Sequence, residues 1–340
     1  MSSACQVVGT TPPPGGAIPP AQPTTGYGSN GPCTVPSTPV SGAGAASGQS
    51  ISIYYPGGFG FPSVTGGTCN DNHRPVVAVV HGLGASSTIL YAGLINHLVS
   101  TGNVVIFATY NTTDTSLAAS AQDELTALQT SVTDLTSGDM TRFGIIGHSE
   151  GGGSTAYIAE HVAALSWGTT SFWVYALNPW YLDGVGTGSI TFPANTRLIV
   201  ENGDDDSFVD NRIGMDYFNS VWLPATQKVH VDLITQTVGS VTLDAQHTMP
   251  NSVIAPDDAM KYYGMYRNAD VLENCSLTNS WCNWSQMTNM GTWSDGTPVT
   301  PAIVSQSPTD RGPTSAAECN SILNPRAVDC GTSIITTPNT

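Results

Sequence analysis

A mixed α/β fold with a mostly parallel central sheet is predicted by three observations. Short β-branched runs such as Val76–Gly82 and Asn103–Tyr110 read as strands buried on both faces. Helical stretches with apolar residues at three- and four-residue spacing lie between them, as at Leu90, Leu94 and Leu98. Strand and helix signals then alternate along the chain, which places helices on both faces of the sheet.

The elements follow in order. Residues 1–48 are rich in Pro, Gly, Ser and Thr and read as an extended arm that buries no core of its own. Ile51–Pro56 is a strand, Val76–Gly82 a second, and a helix follows from about Thr88. Asn103–Tyr110 is a third strand, and residues 116–137 form a helix with Leu117, Leu125, Leu128 and Val132 inward. Arg142–Gly147 is a strand, and a helix runs from Glu150 to about Leu165. Further strands are expected at Ser171–Asn178, around Arg197–Asn202 and at Lys228–Ile234, with a last helix over Asp257–Val271. The organisation is thus an arm (1–48), a main domain (49–272) and a Cys/Trp-rich extension (273–340) packed on it.

The chain has 340 residues, enough for one large domain. Its formal net charge of −16 disfavours nucleic acid and anionic lipid surfaces. No apolar run is long enough to span a membrane. The seven cysteines lie towards the two ends, and none has zinc-like spacing, so no metal is expected. Disulfides in an oxidising, extracellular compartment fit this distribution. Cys275 with Cys282 and Cys319 with Cys330 are the near pairs, and Cys5 and Cys33 are placed to pin the arm. Asn111, Asn274 and Asn283 head N-x-S/T triplets. The opening residues lack a basic-then-apolar leader, so Met1 reads as the start of a shortened form of a secreted protein.

One segment carries chemistry. The strand ending at Gly147 runs into Gly147-His148-Ser149-Glu150-Gly151, then into a helix with Gly152 and Gly153 in its first turn. G-x-S-x-G at a strand-to-helix turn lifts a serine Oγ above the sheet at the positive end of a helix dipole. A serine nucleophile needs a base, and the base an orienting acid. The loop Gly203-Asp204-Asp205-Asp206-Ser207-Phe208-Val209 follows a strand and offers Asp206 as acid, with Asp205 and Asp204 as alternatives. His247, on a loop before the last helix, is preferred as base over His230, which lies inside a strand. Oxyanion donors are expected in the backbone N–H of Glu150 and of Leu83, the latter in the loop His81-Gly82-Leu83-Gly84, with His81 holding that loop.

With GHSEGGG around Ser149, NTT at Asn111–Thr113, NPW ending at Trp180, the Asp206 loop and a helix from His247 towards a cysteine, the chain resembles the α/β-hydrolase superfamily. Within it, residues 50–275 are most similar to cutinase-type polyesterases and related lipases. Leu83 stands where those polyesterases usually carry an aromatic residue, and Glu150 where they carry Met. The resemblance implies an α/β-hydrolase fold and cleavage of carboxylic esters through Ser149, Asp206 and His247, without a cofactor. It also implies a substrate wall at Trp180, with His148 and Tyr181 beside it.

Too few residues separate Asn178 from Thr196 for a cap domain, so an open cleft suited to polymeric or lipid-like esters is expected in a monomer. Amide cleavage and acyl transfer use the same three residues. A binding role is the other class of reading, with Trp281, Trp284 and Trp293 as a platform.

Overall fold

Nine strands form one sheet in the order β1-β2-β4-β3-β5-β6-β7-β8-β11. They are β1 (Val40–Ser41), β2 (Ile51–Tyr54), β3 (Pro75–Val80), β4 (Val104–Ala108), β5 (Asp139–His148), β6 (Ser171–Leu177), β7 (Thr196–Gly203), β8 (Lys228–Leu233) and β11 (Ile303–Ser305). A separate hairpin pairs β9 (Gln236–Val238) with β10 (Val241–Leu243). The computed structural model describes residues 16–42, 49–57, 69, 73–110, 117–182, 185, 189–310, 324 and 326. From β4 to β8 the strands are parallel, and β1, β2 and β11 add antiparallel edges.

The β-branched runs are buried on both faces, as their composition requires. Val77 and Val79 of β3 face one apolar cluster, Val76, Ala78 and Val80 the other. The first cluster is covered by α1 (Ala92–Ser100) and α5 (Arg267–Leu277), the second by α2 (Leu117–Thr133), α3 (Glu150–His161) and α4 (Arg212–Ser220). A 3-10 turn at Thr88–Tyr91 leads into α1, and a π-helical stretch at Met260–Tyr266 leads into α5. Beneath β7, burial pushes the Glu201 carboxyl up to about 8. It accepts hydrogen bonds from Tyr175 (2.6 Å) and Asn268 (2.7 Å), which ties β6, β7 and α5 together.

Several expectations change. The last helix runs to Leu277, across the expected boundary at residue 272. The segment beyond it supplies β11 to the sheet and Met287, Met290 and Trp293 to the first cluster. Trp284 packs against that cluster and Trp281 is 77 % exposed, so the three tryptophans share no common face. The arm is not a free linker over its described part. Val40 and Ser41 pair with β2, Gly28 N–H donates to Asp270 (2.7 Å), and Ile18 and Ser294 exchange two bonds. Helix α4 is an addition to the elements expected from the sequence, a nine-residue amphipathic segment between β7 and β8.

Two disulfides are present among the described residues. Cys275–Cys282 is as expected, whereas Cys33 pairs with Cys69 across 36 residues. Cys5, Cys319 and Cys330 lie outside the described residues, as does Asn111–Thr113. Asn274 and Asn283 are exposed. No described helix is long and apolar enough to cross a membrane.

Opening the larger disulfide loop should cost more than opening the smaller one. Cys33→Ser/Cys69→Ser should lose about 3–4 kcal/mol in urea denaturation, and Cys275→Ser/Cys282→Ser about 2. A larger loss for the short loop would contradict the assigned pairing.

Candidate active site

Ser149 joins β5 to α3 with φ 57° and ψ −122°, a left-handed conformation that a non-glycine residue adopts only under constraint. The constraint is close packing. A Cβ on Gly153 would stand 1.6 Å from the Tyr181 carbonyl oxygen, so only a glycine lets α3 settle this near the β6 end. On the other side, a Cβ on Gly82 would reach 3.0 Å from the Ser149 Cβ. The loop after β3 therefore passes directly over the serine.

Asp206, His247 and Ser149 meet although they come from three separate loops. Ser149 Oγ lies 2.9 Å from His247 Nε2, and His247 Nδ1 lies 2.7 Å from Asp206 Oδ2. Asp206 is buried, and its Oδ1 accepts from the N–H groups of Phe208 (2.8 Å) and Val209 (2.9 Å). These bonds leave Oδ2 for the imidazole. Nδ1 must donate to the carboxylate, so Nε2 is the acceptor that faces the serine hydroxyl. Asp204 and Asp205 are exposed. His230 sits inside β8 near Asn202, away from the serine.

A second chain of hydrogen bonds sets the loops against each other. Gly82 N–H donates to Tyr91 Oη (2.9 Å), and that hydroxyl lies 2.9 Å from His148 Nδ1. His148 Nε2 lies 2.8 Å from the His247 carbonyl oxygen. A carbonyl can only accept, so Nε2 carries the proton and Nδ1 accepts from Tyr91. Burial, and then the neighbouring His247, push the His148 imidazole down to about 3. His148 is thus a neutral link between the loop after β3 and the His247 loop, and it also lines the cleft above Ser149.

His81 does hold its loop. Its Nδ1 lies 2.8 Å from the Gly82 carbonyl oxygen, and its ring stacks on Tyr110 at 4.3 Å. Burial pushes it down to about 4. The N–H of Glu150 is the first of α3 and has no partner within the helix. Its side chain turns away from the cleft towards Ser120 and Tyr110, and burial raises its carboxyl.

Above the serine opens a cleft of about 420 Å³. Leu83, Tyr91, Trp180, Phe208 and Ile254 form its apolar walls, with Ser149 and His247 at the polar centre. Trp180 is placed as expected. Tyr181 is not: it packs edge-on behind Trp180 at 4.9 Å and does not line the cleft. Tyr91, Phe208 and Ile254 carried no sequence signal beyond lying near a motif. Phe208 stacks on the His247 ring at 5.4 Å. Between β6 and β7 the described residues form no cap. Among the described residues no group of three or more His, Cys, Asp or Glu gathers as metal ligands.

The two neutral histidines make stability fall in acid. Below pH 6.5 the unfolded chain takes up protons at positions 81 and 148 while the folded chain does not, until about pH 4 and 3 respectively. Each therefore removes up to about 1.4 kcal/mol per pH unit in that window. His148→Gln should flatten the decline in urea stability between pH 6.5 and 4.5. Equal slopes for variant and wild type would contradict a neutral His148.

No known protein family matches the chain, and no curated protein sequence matches it.

Proposed function

We propose that this protein is a secreted serine hydrolase of the α/β-hydrolase fold that cleaves carboxylic esters. The observation that carries this reading is the unbroken hydrogen-bonded series Ser149–His247–Asp206, set on a constrained strand-to-helix turn. The order serine, acid, histidine along the chain, the serine after β5 and a donor loop after β3 support the hydrolase fold. Two disulfides, one of them closing a 36-residue span, suit an oxidising compartment.

In the mechanism, Ser149 Oγ attacks the ester carbonyl as its proton passes to His247 Nε2. Asp206 holds the ring and offsets the positive charge that develops on it. The carbonyl oxygen turns towards the N–H groups of Leu83 and Glu150, where the α3 dipole also favours negative charge. His247 then gives its proton to the departing alcohol. Water attacks the acyl-enzyme with His247 again as base, and Ser149 leaves with the returned proton.

The cleft points to the substrate. Leu83 and Ile254 are each 63 % exposed and Phe208 is 51 % exposed, so apolar side chains continue from the floor to the rim. Burying such surface favours an acyl chain or an aromatic ring at about 25 cal/mol per Å². An open mouth admits long or polymeric esters.

Turnover of p-nitrophenyl esters from acetate to long acyl chains tests this. Wild type should prefer acyl groups longer than acetyl, and Ser149→Ala should lower kcat at least about 10⁴-fold. Phe208→Ala should reduce kcat/KM several-fold for long chains and less for acetate. Equal turnover by Ser149→Ala would refute the assignment of the nucleophile.

A further inference from the structure

The loop that carries Asp206 is braced from behind by residues more than a hundred positions further along the chain. Asn324 and Arg326 are 4 % and 6 % exposed. Asp210, at the far end of the acid loop, is buried and accepts from Arg212 Nε (2.7 Å) and from Asn324 Nδ2 (2.9 Å). Asp216, buried on α4, accepts from Arg326 Nε (2.6 Å) and from a second N–H of the same guanidinium. Arg212 also reaches the Arg326 carbonyl oxygen at 3.5 Å. Two aspartates and two arginines thus form a buried, charge-neutral group in which Arg326 uses its fork geometry. Asn324 also borders a narrow gap behind the cleft wall, shared with Trp180, Tyr181, Val209 and Ile213. Asn324 therefore reaches the acid loop and also borders the gap behind the tryptophan wall.

We propose that Asn324 and Arg326 are positioning residues for this site, fixing the Asp206 loop through Asp210 and Asp216. The proposal rests on the hydrolase reading. Between Gly203 and Arg212 the chain has no regular structure, so its course depends on anchors at its ends. Near Asp206 the anchor is local, through Phe208 and Val209. At the far end it is Asp210, held by Arg212 and the distant Asn324. Without Arg326, Asp216 would be a buried carboxylate that has lost its guanidinium partner. Relief by hydration would draw α4 and the acid loop outwards. Such a shift reaches catalysis, because displacements near 1 Å at reacting groups cost about 10²-fold in rate.

The test uses the full chain and ester turnover, with kcat, KM and the pH–rate profile measured well below each variant's melting temperature. Arg326→Met keeps the stem and removes the charge. It should lower kcat about 10- to 100-fold and leave KM within about threefold. The acid limb of kcat should shift by about 0.5 unit or more to lower pH, because a displaced Asp206 stabilises the His247 imidazolium less. The other groups facing that ring, Ser149, His148 and Phe208, are unchanged in the variant. Arg326→Lys should recover most of the rate. A brace with no catalytic consequence would lower only the melting temperature, and wild-type kcat and acid limb in folded Arg326→Met would overturn the proposal. Should that variant not fold, Asn324→Ala serves instead: a three- to tenfold lower kcat at unchanged KM supports the proposal, and an unchanged kcat overturns it. Wild type that turns over no ester would instead reject the hydrolase reading itself.

Discussion

The backbone of Ser149 is the constraint on which the site depends. A residue held at φ 57° costs on the order of 1–3 kcal/mol unless its surroundings leave no alternative. Here β5 enters from the middle of the sheet and α3 leaves within one residue, pressed between the end of β3 and the Pro179–Tyr181 turn. The glycines of this segment are not fillers. Each removes a side chain that would otherwise push the helix or the neighbouring loop off the serine. Relaxing Ser149 would withdraw both its hydroxyl and the adjacent Glu150 N–H.

Given that turn, the remaining groups have to be brought to it, and they arrive on loops at the carboxyl ends of parallel strands. Loops are mobile unless tied, and each of these is tied by a different device. The loop after β3 hangs on Tyr91 and His81, and the acid loop closes on Asp206 itself. The His247 loop is fixed by the buried Lys261, which bonds to the Asn251 and Ala255 carbonyl oxygens. Neutral His148 joins two of the loops, and it can do so because burial keeps its proton on one nitrogen.

The framework and the three residues that meet at Ser149 were legible in the sequence for a local reason. Runs such as Val76–Val80 announce buried strands, and G-x-S-x-G followed by glycines announces the turn. The order of the acid and histidine loops is likewise carried along the chain. Contacts between loops leave no such trace. Tyr91, Ile254 and Asn324 reach the site region through the fold alone, and the pairing of Cys33 with Cys69 could not be read from spacing. Edge strands of two or three residues, β1 and β11, are too short to show a period. Tyr181 adjoins Trp180 yet lies outside the cleft, because nearness to a motif does not say which way a side chain points.

The most direct test of the central claim is rapid-quench mass spectrometry during turnover of a p-nitrophenyl ester. One acyl group per chain is expected on the peptide containing Ser149, forming with release of p-nitrophenol and decaying as product appears. Rapid ester turnover with the acyl group on another residue would contradict it.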